Sequence, residues 1–126
     1  MSNAVDTRPV NLNAFAELAP DAPVFMINLL KFNDGEGRDR YQQYGREVQP
    51  HLERVGAVIR YAGTGPVNVI GDGQHPWWDA LLVVEYPTPQ AFVDMVSDAG
   101  YQAVHEHRAA ALVQGDLVAT SQWVVG

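Results

Sequence analysis

The chain contains no cysteine. That absence removes disulfides, thiol nucleophiles and thiolate metal sites together. Basic residues are also scarce: eight Lys and Arg stand against fifteen Asp and Glu, for a formal charge of −7 and a pI near 4.8. A surface of that sign repels phosphate backbones, and no basic run offsets it, so nucleic acid is excluded as a partner. Long apolar stretches are missing as well. Nothing approaches the roughly 20 apolar residues of a membrane span, and Met1–Pro9 has no apolar signal core. The expectation is a cytoplasmic protein with no membrane partner.

What the chain does have is core-forming material. Its 126 residues are 47% apolar, enough for one folded domain. After a polar, loose start over Met1–Arg8, Asn11 or Asn13 is placed to cap a short helix carrying Leu12, Phe15 and Leu18, with Pro20 ending it. This divides the chain into an N-terminal extension (1–22) and a domain (23–126). Pro23–Phe32 is apolar at both parities and reads as a buried strand, closed by the turn Asn33-Asp34-Gly35.

A helix is expected from an N-cap at Asp39, with Tyr41, Tyr44, Val48, Leu52 and Val55 on one stripe, Pro50 kinking or splitting it and Gly56 stopping it. Ala57–Ala62 reads as a second strand, interrupted at Gly63-Thr64-Gly65-Pro66 and resumed over Val67–Ile70. Trp78–Tyr86 reads as the third. Thr88-Pro89 is a helix start. Asp98 is placed to cap a fresh helix running to about Val113, stopped by Gly115, before a last strand over Leu117–Val124.

The order β-α-β-β-α-β defines an α+β, ferredoxin-like fold: a four-stranded antiparallel sheet with the helices on one face. Strands 24–32 and 81–84 are nonetheless apolar on both faces, so the uncovered face must also be hidden from water. A second copy across a two-fold axis does this most simply.

Met26-Ile27-Asn28-Leu29-Leu30-Lys31-Phe32, Tyr41 to Tyr44, Trp78-Asp79 leading into Val84-Glu85-Tyr86-Pro87 and, above all, Gly100-Tyr101-Gln102-Ala103-Val104-His105-Glu106-His107-Arg108 resemble the dimeric α/β-barrel superfamily, and within it the DUF1330 family. The resemblance covers roughly residues 23 to 120. Relatives by fold include antibiotic-biosynthesis monooxygenases, muconolactone isomerases and haem-binding chlorite dismutases. It implies the barrel fold and a homodimer, and it leaves the chemistry open, since one fold hosts many functions. Gly100 departs from the helix-favouring residue expected there.

Tyr101, His105, Arg108 and Leu112 recur at i, i+4, i+7 and i+11, so they share one helix face directed at the sheet. A guanidinium there needs a partner. The expected partner is a carboxylate of the third strand, Glu85 before Asp79. Arg108 and His105 are the candidate catalytic residues: an anion or carbonyl clamp beside an acid or base. The same pattern fits a structural ion pair and a hydrogen-bonded histidine. Asn28, Tyr41, Tyr44, Trp78, Asp79 and Glu85 are the candidate substrate-binding residues. For each there is an equally plain packing role: Asn28 satisfying local backbone, the two tyrosines in the core, a tryptophan anchoring an interface. Arg60 is placed to pair with Glu53 or with the second copy.

No metal or other cofactor is expected. His105 and His107, at i and i+2, point about 200° apart on a helix and cannot chelate one ion. No histidine is singled out as a haem ligand. Gly63-Thr64-Gly65 lacks the lysine and helix of a phosphate loop, and Ser97 and Ser121 have no histidine at motif spacing. Two readings follow. One is a small-molecule site between sheet and helices, acting, as the resemblance implies, as an isomerase-like enzyme or a cofactor-free oxygenase. The other is a non-catalytic dimeric ligand-binding module or scaffold.

The two-sided strands make the dimer directly testable. Size-exclusion chromatography with light scattering at micromolar concentration is expected to return twice 13.8 kDa; a clean monomer contradicts the reading.

Overall fold

The structure is a computed structural model, and residues 8–126 of it are described. Of the loose start expected over Met1–Arg8, residues 1–7 lie outside the described residues, as does most of the stretch read for a signal core. The elements run as a short 3-10 helix (Leu12–Glu17), β1 (Val24–Phe32), α1 (Gly37–Arg54), β2 (Val58–Thr64), β3 (Ala80–Tyr86), α2 (Pro89–Val96), α3 (Ala99–Ala111) and β4 (Leu112–Ser121). The strands form one antiparallel sheet in the order β2-β3-β1-β4. The fold is ferredoxin-like α+β, as the element order requires.

Side chains alternate across the pleat, so parity decides which face each residue serves. On the helix side, Val24, Met26, Asn28 and Leu30 of β1 meet Tyr86, Val84, Leu82 and Ala80 of β3. With Tyr44, Val48 and Leu52 of α1 and Phe92, Met95 and Tyr101 of α2 and α3, they build the main core. On the other side Phe25, Ile27 and Leu29 lie beside Leu81, Val83 and Val118. No helix of the described residues covers that face, and Val58, Tyr61 and Val118 on it are 44, 59 and 47% exposed.

Capping follows the sequence at two helices. Thr88 Oγ1 accepts from the Ala91 amide at 3.2 Å with Pro89 at the first position, and Asp98 Oδ2 accepts from the Tyr101 amide at 3.0 Å. Gly56, at φ +77, ends α1 in the left-handed conformation that glycine tolerates.

Four local expectations are corrected. The first helix starts at Gly37 rather than after an Asp39 cap. A Cβ at Gly37 would sit 2.7 Å from the Ala111 carbonyl oxygen, so glycine lets this end of α1 close on the end of α3. Pro50 does not split α1, which runs from Gly37 to Arg54 around it, and it lies on the exposed side of the helix. Val67–Ile70 does not resume the second strand. With Gly65 at φ +64 before Pro66, the chain leaves the sheet, and Val69 and Ile70 are 91 and 96% exposed. Finally, α3 ends at Ala111 and the chain passes directly into β4 at Leu112, so Gly115 lies inside a strand, opposite Leu30, rather than stopping the helix.

Candidate functional site

Between the helix side of the sheet and the helices lies a groove of about 640 Å³. It exists because the even-numbered residues of β1 and β3 and the buried stripes of α1 and α3 do not fill the space between them. One end is polar. There β1 contributes Asn28, the polar interruption of an otherwise apolar row, and α3 contributes Arg108 from seven residues after Tyr101. Arg108 donates to Asn28 Oδ1 at 3.4 Å, while Asn28 Nδ2 donates to the Met26 carbonyl at 3.4 Å. The guanidinium also reaches the Tyr41 phenol.

The glycine of β4 makes room for it. A Cβ at Gly115 would lie 2.6 Å from Leu112 Cδ1 and 3.3 Å from a guanidinium nitrogen. The sequence reading of Gly115 as a helix stop is thus replaced by close approach to Arg108. Among the described residues no carboxylate forms an ion pair with Arg108.

Beside Arg108 runs a chain of hydrogen bonds. The Tyr44 and Tyr101 hydroxyls are 3.0 Å apart, and Tyr101 Oη lies 3.3 Å from His105 Nδ1. Tyr41 stacks at a tilt on Tyr44, centroids 5.3 Å apart. Burial pushes the Tyr44 phenol well above its ordinary range, and Tyr101 beside it adds to the shift. Burial likewise raises Tyr41 against the opposing pull of Arg108, and Tyr101 against its bond to Tyr44 and the same cation. Tyr86, at the other end of the groove, is raised chiefly by burial too. At neutral pH these phenols are protonated, so they offer hydrogen bonds rather than charge.

The groove therefore gathers Asn28, Tyr41, Tyr44, His105 and Arg108 of the residues singled out in the sequence. It leaves out Trp78, Asp79 and Glu85. Odd residues of β3 point away from the helices, so Glu85 cannot meet Arg108; it pairs instead with Arg60 at 2.8 Å, for which Glu53 or the second copy was the expected partner. Asp79, just before β3, accepts the Phe32 amide at 2.9 Å and pairs with Lys31 at 3.4 Å. Trp78 lines a shallow recess beside Leu29 and Tyr61 on the opposite side of the sheet. Tyr101 was legible as part of the helix face, yet its i, i+4 relation to His105 is a hydrogen bond and not only packing. His107, two residues beyond His105, faces α1, accepting from Arg40 at 3.0 Å and lying 3.5 Å from Glu47. Among the described residues no group of three His, Asp or Glu side chains is placed to hold a metal ion, and no helix is long and apolar enough to cross a membrane.

A four-stranded antiparallel sheet, helices on one face and a polar-ended groove between them define a ferredoxin-like α+β domain. The chain belongs to the family described as domain of unknown function (DUF1330), whose model matches residues 23–122. Among solved structures, the RPA0582 protein of unknown function from Rhodopseudomonas palustris is 27% identical, with a TM-score of 0.79 over 98% of this chain and 100% of that one. A dimeric ferredoxin-like protein of unknown function from Bacteroides fragilis is 16% identical, with a TM-score of 0.56 over 79% of this chain and 96% of that one. Hydroxynitrile lyase from Passiflora edulis shares the fold at 8% identity, TM-score 0.65, over 85 and 99% of the two chains. No curated protein matches the sequence.

The buried phenols set a limit on alkaline stability. A phenol whose folded pKa lies above its unfolded value of about 10 contributes stability that is fully present below pH ~10 and is lost as pH rises past it, because the unfolded chain releases the proton first. Chemical denaturation followed between pH 8 and 11.5 is expected to show a midpoint that holds to about pH 9.5 and then falls. Replacing Tyr44 by Phe is expected to flatten that fall; an unchanged slope contradicts the assignment.

Proposed function

We propose that each subunit binds a small molecule bearing a carboxylate or an enolisable carbonyl, head first, in the groove between sheet and helices. The observation that carries this reading is the Arg108 guanidinium at the polar end of an apolar groove, with no carboxylate among the described residues forming an ion pair with it. A guanidinium remains charged at any physiological pH, and a charge in such a place is ordinarily balanced by an acid. A ligand anion supplies that balance. Asn28 and Tyr41 then fix the orientation of the head group, which is the usual division of labour in a mostly apolar pocket.

The Tyr44–Tyr101–His105 chain favours turnover over mere binding. With a carbonyl oxygen at Arg108, a C–H bond next to that carbonyl breaks. Its proton passes to the His105 imidazole and the electron pair moves onto the oxygen, where the cation stabilises it. Return of the proton to the same or another carbon completes an isomerisation. The same enolate is the species that molecular oxygen attacks in cofactor-free oxygenation. A hydroxynitrile lyase and proteins of unknown function share this fold at low identity, which agrees with small-molecule chemistry without selecting it.

The subunit is proposed to work as a homodimer in the cytoplasm. The apolar outer face of the sheet is the surface a second copy covers, and similar folds are described as dimeric.

Calorimetric titration tests the reading. Hexanoate is expected to bind and hexanamide to bind at least tenfold more weakly, a difference of about 1.4 kcal/mol for the charge-assisted contact; Arg108→Gln is expected to abolish the difference. In D2O, 3-oxohexanoate is expected to exchange its activated protons faster with protein than without, and Tyr101→Phe to slow that exchange while leaving binding intact. Equal binding of acid and amide contradicts the proposal. Binding without exchange leaves a ligand-binding module with no turnover.

A further inference from the structure

The groove is not walled by the sheet and helices alone. Residues 8–18 precede the segment that matches the family model, and they run along the mouth. At the polar end, the Arg8 guanidinium donates to the Gly115 carbonyl at 3.1 Å and pairs with Asp116 at 2.7 Å, on the strand segment that makes room for Arg108. At the other end the Phe15 ring lies 5.5 Å from Phe92, which stands edge-on to Tyr86 at 5.3 Å. Val10, Asn11 and Ala14 border the groove between these anchors. The segment is therefore fixed at both ends, by an ion pair at the head of the groove and by an aromatic contact at its foot.

The register gives the distance between those ends. Arg108 bonds Asn28, whereas Tyr86 of the aromatic end is paired with Val24. Four residues of strand separate Asn28 from Val24, about 13 Å. Along that length the floor is Met26, Leu82, Val84 and Ala119, with no charged side chain of the described residues beyond the head. A short polar acid leaves this apolar length empty. A neutral hydrocarbon leaves the guanidinium unbalanced.

Resting on the proposed anion site at Arg108, we infer that residues 8–15 are the specificity wall of the groove, and that its ligand is an elongated amphiphilic carboxylate whose apolar end abuts Phe15. Phe15 is then a residue that measures the ligand, and Arg8 the one that holds the wall down beside the head group.

Titration of the full chain with butanoate, hexanoate, octanoate and decanoate, each below its aggregation limit, tests this. Affinity is expected to rise by up to roughly fourfold per methylene until the tail meets Phe15, then level off. Phe15→Ala is expected to leave butanoate unchanged and to weaken the longest acid by roughly tenfold. Phe15→Leu, a smaller disturbance that keeps an apolar plug, retains most of the length dependence and guards against a variant that fails to fold. Arg108→Gln is expected to weaken every acid by the same factor. Flat affinity with chain length, or equal weakening of short and long acids by both Phe15 variants, overturns the wall while leaving the Arg108 site standing. Undiminished binding of all the acids by Arg108→Gln, or no binding by the wild type, overturns the site and the wall together.

Discussion

A single guanidinium organises the interior of this domain. Arg108 projects from α3 toward the sheet, where Asn28 and the Tyr41 phenol meet it and where Gly115 leaves the room it occupies. Each of these features is unfavourable or neutral on its own: an amide in an apolar strand, a glycine inside a strand, buried phenols on a helix stripe. Together they form one arrangement around a cation. The polarity of the groove, its direction along β1 and the chemistry proposed for it all depend on that arrangement.

The sheet divides the rest of the molecule by parity. Even positions of β1 and β3 face the helices and line the groove; odd positions form an apolar outer face whose polar residues answer to one another, as Glu85 does to Arg60 and Asp79 to Lys31. That separation puts the surface proposed for a second copy on the outer face and the groove proposed for a ligand on the inner one, so the two proposals do not compete for the same surface.

Much of this was legible in the sequence, for reasons that can be named. The two-sided apolar pattern of Val24–Phe32 marked the central strand, the caps at Thr88 and Asp98 marked two helix starts, and the helical period put Tyr101, His105 and Arg108 on one face. The partner of Arg108 was misread because helix phase says which way a residue points but not which neighbour it reaches. Glu85 has the wrong strand parity relative to the helices, and that parity follows from the register with Phe25, which the sequence does not display. Gly115 was misread because glycine marks both helix stops and close approaches, and only the three-dimensional neighbour distinguishes them. The loop 65–79 was misread because Val67, Val69 and Ile70 carry a strand's composition without a strand's partner. The segment 8–15 reads in the sequence only as the approach to a short helix; its place beside the groove appears only where Arg8 and Phe15 touch the distant residues Asp116 and Phe92.

The central claim is that Arg108 is held for a ligand and not for the stability of the fold, and the ligand-free stability of Arg108→Met measures this most directly. Methionine fills a similar volume and removes the charge. If the guanidinium is unbalanced until a ligand arrives, the unfolding free energy of the variant stays within about 1 kcal/mol of the parent or exceeds it, since a charge without a partner is costly to bury. If Arg108 is instead one half of a structural ion pair, the same substitution strands the other half and costs about 3–5 kcal/mol. A loss of that size, measured by denaturant titration without ligand, would contradict the account.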